Sequence, residues 1–206
     1  MLNRTKYFRK LCLSGSFLVG MISLSSTANA QFIGINADVA IDYSAAPGKV
    51  SGYSVGISHP APFIPNIGYS YVSFIDKESI TNPSDNSSVS LETTTTIKTI
   101  NLFYNIPFPV VTITVGFGYG ADNLYTGVET ITTIDQVESN LETSVSEAFF
   151  HIGLPFWNTI EFHLGYHFMS FSSIDITKSD KFQGKYPTVK KSYSGGMTTI
   201  GVQVAF

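Results

Sequence analysis

The chain has 206 residues, with 15 acids against 12 bases. Arg4, Lys6, Arg9 and Lys10 precede Cys12, and no later arginine or cysteine follows, so residues 31–206 carry about seven net negative charges and neither guanidinium nor thiol. A disulfide framework, a thiolate nucleophile and a Cys-ligated metal are excluded there, and an acidic surface argues against nucleic acid as a partner.

In chain order, the first element is a predicted export signal. The basic residues lead into the apolar run Leu11 to Leu24, followed by Ala28-Asn29-Ala30 and Gln31. Basic start, short apolar centre and Ala-x-Ala exit predict a secretory signal over 1–30 with cleavage after Ala30. The run is broken by Ser14, Gly15, Ser16 and Gly20 and is short for a membrane anchor, which needs roughly 20 apolar residues. The remaining 31–206 form one predicted domain.

Beyond the leader the hydrophobic period is two, the signature of strands with one apolar face. Ile33, Ile35, Ala37, Val39, Ile41 and Tyr43 share one face of the first segment, with Gly34, Asn36, Asp38, Ala40 and Asp42 on the other. The second runs through Tyr53, Val55 and Ile57, and the third through Ile67, Tyr69, Tyr71 and Ile75, with Val72 and Phe74 turned inward. A fourth places Ile100, Leu102 and Tyr104 outward and Thr99, Asn101 and Phe103 inward. The fifth alternates Val111, Ile113, Val115, Phe117 and Tyr119 with Thr112, Thr114, Gly116, Gly118 and Gly120. In the sixth, Glu147, Phe149, His151 and Gly153 face in; in the seventh, Glu161, His163, Gly165 and His167 do. The eighth ends in Ile200, Val202, Val204 and Phe206 on one face. Most segments have the roughly 9 to 11 residues with which a tilted strand crosses a bilayer.

Connections alternate in kind. The turns around Pro60-Ala61-Pro62-Phe63, Pro107-Phe108-Pro109 and Pro155-Phe156-Trp157 are short and each holds a Pro-Phe step, rigid and suited to an interfacial girdle. Ser44 to Lys49, Lys77 to Thr93, Asp122 to Thr143 and Asp175 to Lys191 are longer or more polar. These are predicted as outer loops, with the Pro-Phe turns on the periplasmic side. The fold class predicted is all-β: a transmembrane antiparallel up-and-down barrel of about eight strands, closed because an open sheet would leave unpaired backbone in hydrocarbon.

Export signal, eight alternating strands, short inner turns, long outer loops and terminal Phe206 together resemble the small OmpA/OmpX/OmpW-like outer-membrane barrels of Gram-negative bacteria. The turn His59-Pro60-Ala61-Pro62-Phe63-Ile64-Pro65-Asn66 resembles the His-Pro-x-Pro-x-x-Pro-Asn turn of a little-characterised group of such barrels. The resemblance implies the fold and a cell outer-membrane location. Members variously serve as structural barrels, porin-like small-solute channels, adhesins or defence proteins, and no functional residue carries over.

The candidate chemistry lies on inward positions: Asp38, Asp42, Glu147, His151, Glu161, His163 and His167. His163 and His167 are four residues apart, roughly 13 Å along a strand, and cannot by themselves share one ion. Cross-strand pairing with His151 is geometrically open, and a lumen hydrogen-bond network is the predicted role, since buried polar groups need partners. No metal, cofactor or catalytic residue is assigned. A lipid hydrolase would need a serine beside its base, and the residues after His163 and His167 are Leu164-Gly165 and Phe168-Met169. Eight strands leave an interior that side chains nearly fill, so a plugged barrel is expected over an open channel.

Phe206 is the predicted signal to the barrel-assembly machinery. Lys178, Lys181, Lys185, Lys190 and Lys191 make the last loop basic; a solvated face is the default reading, and contact with lipopolysaccharide phosphates is the alternative. The expected protein is a monomer in contact with outer-membrane lipids. Its expected role is structural or interactional, as in adhesion or colonisation, through Ser/Thr/Asn-rich loops that reach a host or surface ligand. The alternative is a narrow pore.

Overall fold

A computed structural model describes residues 33–61, 63–86, 88–120, 127–132, 139–157, 159–175 and 188–206. The expected export signal and its cleavage after Ala30 lie outside them, as do Lys178, Lys181 and Lys185. The strands are β1 (Gly34–Tyr43), β2 (Val50–Ser58), β3 (Asn66–Thr81), β4 (Ser88–Pro107), β5 (Thr112–Gly120), β6 (Gly127–Thr132), β7 (Ser139–Glu142), β8 (Val145–Trp157), β9 (Ile160–Phe171), β10 (Ile174–Asp175), β11 (Lys190–Lys191) and β12 (Gly195–Ala205).

Eight of these close a barrel in the order β3-β2-β1-β12-β9-β8-β5-β4, with β4 returning to β3. Every pairing is antiparallel, and β1 zips to β12 from Gly34 opposite Ala205 to Tyr43 opposite Met197. Closure leaves no free edge around the wall, which is the condition for a sheet to stand in hydrocarbon. Its outer surface carries the predicted apolar faces, including Ile35, Val39, Ile57, Ile67, Leu102, Phe117, Ile152, Leu164, Phe168 and Ile200, all exposed. In water such a surface would be an aggregation liability; in a bilayer it meets its own kind.

The three Pro-Phe steps gather at one end with exposed Phe63, Phe156 and Trp157, but Pro107 closes β4 and Pro155-Phe156-Trp157 belongs to the end of β8, paired with β9, so these two steps begin inside strands and not in the turns as expected. The His59–Asn66 turn is stapled by its own motif. The Asn66 amide oxygen accepts the His59 N–H at 2.9 Å, His59 Nδ1 accepts the Ala61 N–H at 3.2 Å, and His59 Nε2 lies 3.3 Å from the Pro65 carbonyl. The motif's His and Asn thus supply bonds that its prolines cannot.

Three further expectations are corrected. Asp42 does not face the lumen: a bulge between Ala40 and Asp42 admits one unpaired residue, so the alternation slips. Asp42 becomes exposed and Tyr43 turns inward, where it is buried. Secondly, Lys77 to Thr93 is not a loop but a β-hairpin, paired from Lys77 opposite Glu92 to Thr81 opposite Ser88. In the Asp122 to Thr143 region the described parts are also strands. There β6 pairs with the outer half of β4 and β7 with β6, widening the wall on the outer side to a 10-stranded sheet. Thirdly, Lys191 is not a free loop cation; its Nζ sits 2.9 Å from Asp76 and 2.8 Å from Glu78. Burial alone would lower the Lys191 ammonium, but bonds to Glu78 and Asp76 outweigh it and push it up to about 12.

The inside divides in two along the barrel axis. Toward the outer loops a buried apolar cluster fills the bore: Tyr43, Val72, Phe74, Ile97, Val145, Met169, Phe171, Tyr193 and Met197. Phe74 meets Tyr43 and Tyr193 edge-on, with ring centroids 5.5 and 5.1 Å apart. Below it the inner face turns polar.

Candidate functional site

The polar half is assembled by register. Asp38 on β1 stands opposite Gly201 on β12, and Gly201 stands opposite His163 on β9, so a carboxylate and an imidazole face each other across a residue without a side chain. A Cβ on Gly201 would come within 2.1 Å of Asp38 Oδ1. On the neighbouring row His151 of β8 lies opposite Gly165, diagonal to both His163 and His167. A Cβ on Gly165 would come within 2.6 Å of the His151 ring. Glycines on the inner face therefore do more than let a narrow barrel close. They make the volume that the acids and histidines occupy.

Two hydrogen-bonded chains run through this volume. In the first, Glu147 accepts the Thr99 hydroxyl at 2.6 Å and holds His167 through its Nδ1. His167 Nε2 then meets His151 Nε2 at 3.1 Å and the Thr199 hydroxyl at 3.2 Å. In the second, Glu161 accepts the Thr112 hydroxyl at 2.6 Å and holds His163 Nε2 at 2.8 Å. Asp38 accepts the Ser54 hydroxyl at 3.2 Å on its Oδ2. Phe149 stacks on His167 with centroids 5.0 Å apart and walls the network on one side. Glu147 is fully buried, and Asp38, His151, His163 and His167 are nearly so.

Of the seven predicted lumen residues, six come together here and Asp42 does not. Sequence reasoning found the acids and histidines by parity on their strands. It missed Thr99, Thr112 and Thr199 as their partners, because any inward threonine reads alike until cross-strand register is known. Tyr193 and Asp76 were missed too. Tyr193 lies between β11 and β12, where no alternation marks it, and its hydroxyl donates to Asp76 at 3.2 Å. Phe206 lies on the outer wall, 69% exposed, and its N–H donates to the Ile33 carbonyl at 2.8 Å across the seam.

No protein-family model and no curated protein sequence matches this chain. Solved structures do. Neisserial surface protein A is 15% identical with a TM-score of 0.50, over 84% of this chain and 97% of that one. The N-terminal β-barrel domain of Pseudomonas aeruginosa OprF is 11% identical with a TM-score of 0.43, over 84% and 96%. Ail, the attachment invasion locus protein of Yersinia pestis, is 9% identical with a TM-score of 0.39, again over 84% and 96%. At such identities what is shared with the Neisserial barrel is the fold, and the chain is an eight-stranded closed barrel of the outer-membrane type.

Proposed function

We propose that this protein is a plugged outer-membrane barrel that acts at the cell surface, structurally or as a contact for adhesion, through the hairpins that extend its wall. One observation carries the reading: the bore is occupied by the apolar cluster and the polar network, while β3 and β4 continue past the apolar belt to Thr81 and Ser88. A filled bore does not favour solute flow, and a paired, extended hairpin holds a surface epitope more rigidly than a loop would. Barrel lipids and lipopolysaccharide are the surrounding partners, and Phe206 is offered to the assembly machinery from the outer wall.

The test shortens the hairpin by joining Glu78 to Leu91 through a two-residue turn. Cells expressing the shortened barrel should bind immobilised glycan and matrix surfaces at least tenfold less than cells expressing the full one, at equal heat-modifiable barrel in the membrane. Unchanged binding counts against the surface role. Stable cation-selective steps from the intact protein in a planar bilayer would instead establish the narrow pore. A non-catalytic role also requires an unaltered lipid A mass spectrum on overexpression.

A further inference from the structure

The two hydrogen-bonded chains of the lumen end at the same place. Glu147 as a carboxylate only accepts, so a neutral His167 must give it the Nδ1 proton and keep Nε2 as a lone pair. That lone pair takes the Nε2–H of His151, which leaves His151 Nδ1 bare. By the same reasoning Glu161 takes the Nε2–H of His163 and leaves His163 Nδ1 bare. Two histidine tautomers are thus set independently by two carboxylates, the buried Glu147 and the partly buried Glu161. Both bare nitrogens lie within 4.0 Å of Asp38 Oδ1.

These three atoms are buried and have no hydrogen-bond partner. Asp38 Oδ1 lies 3.8 Å from His163 Nδ1 and 4.0 Å from His151 Nδ1, and all three fall within 4.8 Å of one another. At these separations a second proton on one ring gives an ion pair with Asp38 but no direct hydrogen bond, and it leaves the other ring's lone pair without a partner. A water molecule has two protons for three acceptors and would leave one lone pair facing its oxygen. A dication suits all three.

We infer that Asp38, His151 and His163 form a binding site for one divalent first-row transition-metal ion, of the zinc class, inside the barrel. Two imidazole nitrogens and one carboxylate oxygen are a zinc donor set that leaves a further coordination position for water, and a slight contraction brings the atoms to bonds of roughly 2.0–2.2 Å. The supports are already built. Glu161 orients His163, the Glu147–His167 pair orients His151, and Ser54 orients Asp38, as outer partners of metal ligands commonly do. The ion also offsets the charge of the buried Asp38 and Glu147 and the partly buried Glu161 gathered in one bore. This site is independent of the surface role proposed above.

The experiment uses the untagged full barrel, folded in detergent with Zn²⁺ and freed of excess by gel filtration, its metal then measured by mass spectrometry and by competition with a chromophoric chelator. About one zinc per barrel is expected. Asp38→Asn and His163→Gln should each weaken binding by at least about tenfold, and Glu161→Gln, which is not a ligand, by about tenfold. Should these variants not give heat-modifiable barrel, the wild-type protein decides through histidine NMR. Zinc should shift His151 and His163 strongly and leave His59 in place. A folded wild type that retains no zinc, zinc that survives loss of Asp38 and His163, or unmoved His151 and His163 resonances would each overturn the assignment.

Discussion

The outer and inner halves of the bore are walled by the same strands with the same alternation, yet they are filled by opposite chemistry. Along β3 the inward series passes from Asn66, Gly68 and Ser70 to Val72 and Phe74; along β9 it passes from Glu161, His163 and His167 to Met169 and Phe171. The outer half is a core like that of a soluble protein, held by non-directional burial and ring contacts. The inner half is held by directional bonds such as Thr99 to Glu147 and His163 to Glu161, and there one deletion strands its neighbours. The contrast teaches that a narrow barrel need not be polar throughout its lumen. Apolar packing and hydrogen-bonded polar groups are placed at separate depths of one bore.

The strongest challenge to the apolar half is Phe74→Ala, which empties the centre of the Tyr43–Phe74–Tyr193 stack. A loss of about 3–5 kcal/mol is expected, read as a lower urea midpoint of the refolded barrel in detergent micelles. If the outer cluster is the seal, this variant should also show bilayer conductance that the wild type lacks. The matching challenge to the polar half is Glu147→Ala, which strands Thr99 and His167 in a fully buried position. About 3 kcal/mol is expected in the same assay, with no gain of conductance because the seal above stays intact. Equal conductance from both variants would break the division between the halves.

A smaller effect sharpens it. Gly201→Ala brings a methyl against Asp38 Oδ1 and against the Ala37 carbonyl, 2.4 Å from the added carbon, and backbone cannot yield as a side chain can. About 2 kcal/mol of overpacking is expected, seen as reduced heat-modifiable yield. Smallest is Lys191→Met, outside the apolar belt, where the pairing with Asp76 and Glu78 is partly exposed. A cost of about 0.5–1 kcal/mol is expected at neutral pH. Because the folded lysine is raised from 10.5 to about 12, its contribution is complete below the unfolded value and fades as pH rises through about 12. Urea midpoints of variant and wild type should therefore converge only at the alkaline end.

Alternation was readable because parity is local: in an extended strand each residue's side follows from its neighbour's. That is why Glu147, His151, Glu161, His163 and His167 could be placed inward without coordinates. Parity fails wherever one residue is inserted without a pair, and Asp42 and Tyr43 were misplaced for that reason alone. Polar composition similarly suggested loops at Lys77 to Thr93, although threonine and serine pair well on a strand whose partner is already there. The His59–Asn66 turn was visible as a motif, but its purpose was not, because the histidine's bonds run to backbone atoms whose positions the turn itself creates.

By itself the order of residues settled the eight strands that close the barrel, most of their apolar outer faces, and the inward placement of Asp38, Glu147, His151, Glu161, His163 and His167, since each depends on spacing along one strand. Only the tertiary structure decided that Asp38, His151 and His163 converge. Three strands contribute those residues, and their meeting depends on shear between strands and on glycines opposite them. Likewise only closure brought the apolar ends of the strands together as one cluster and the polar ends as another, because side chains of strands distant in sequence meet only across the bore.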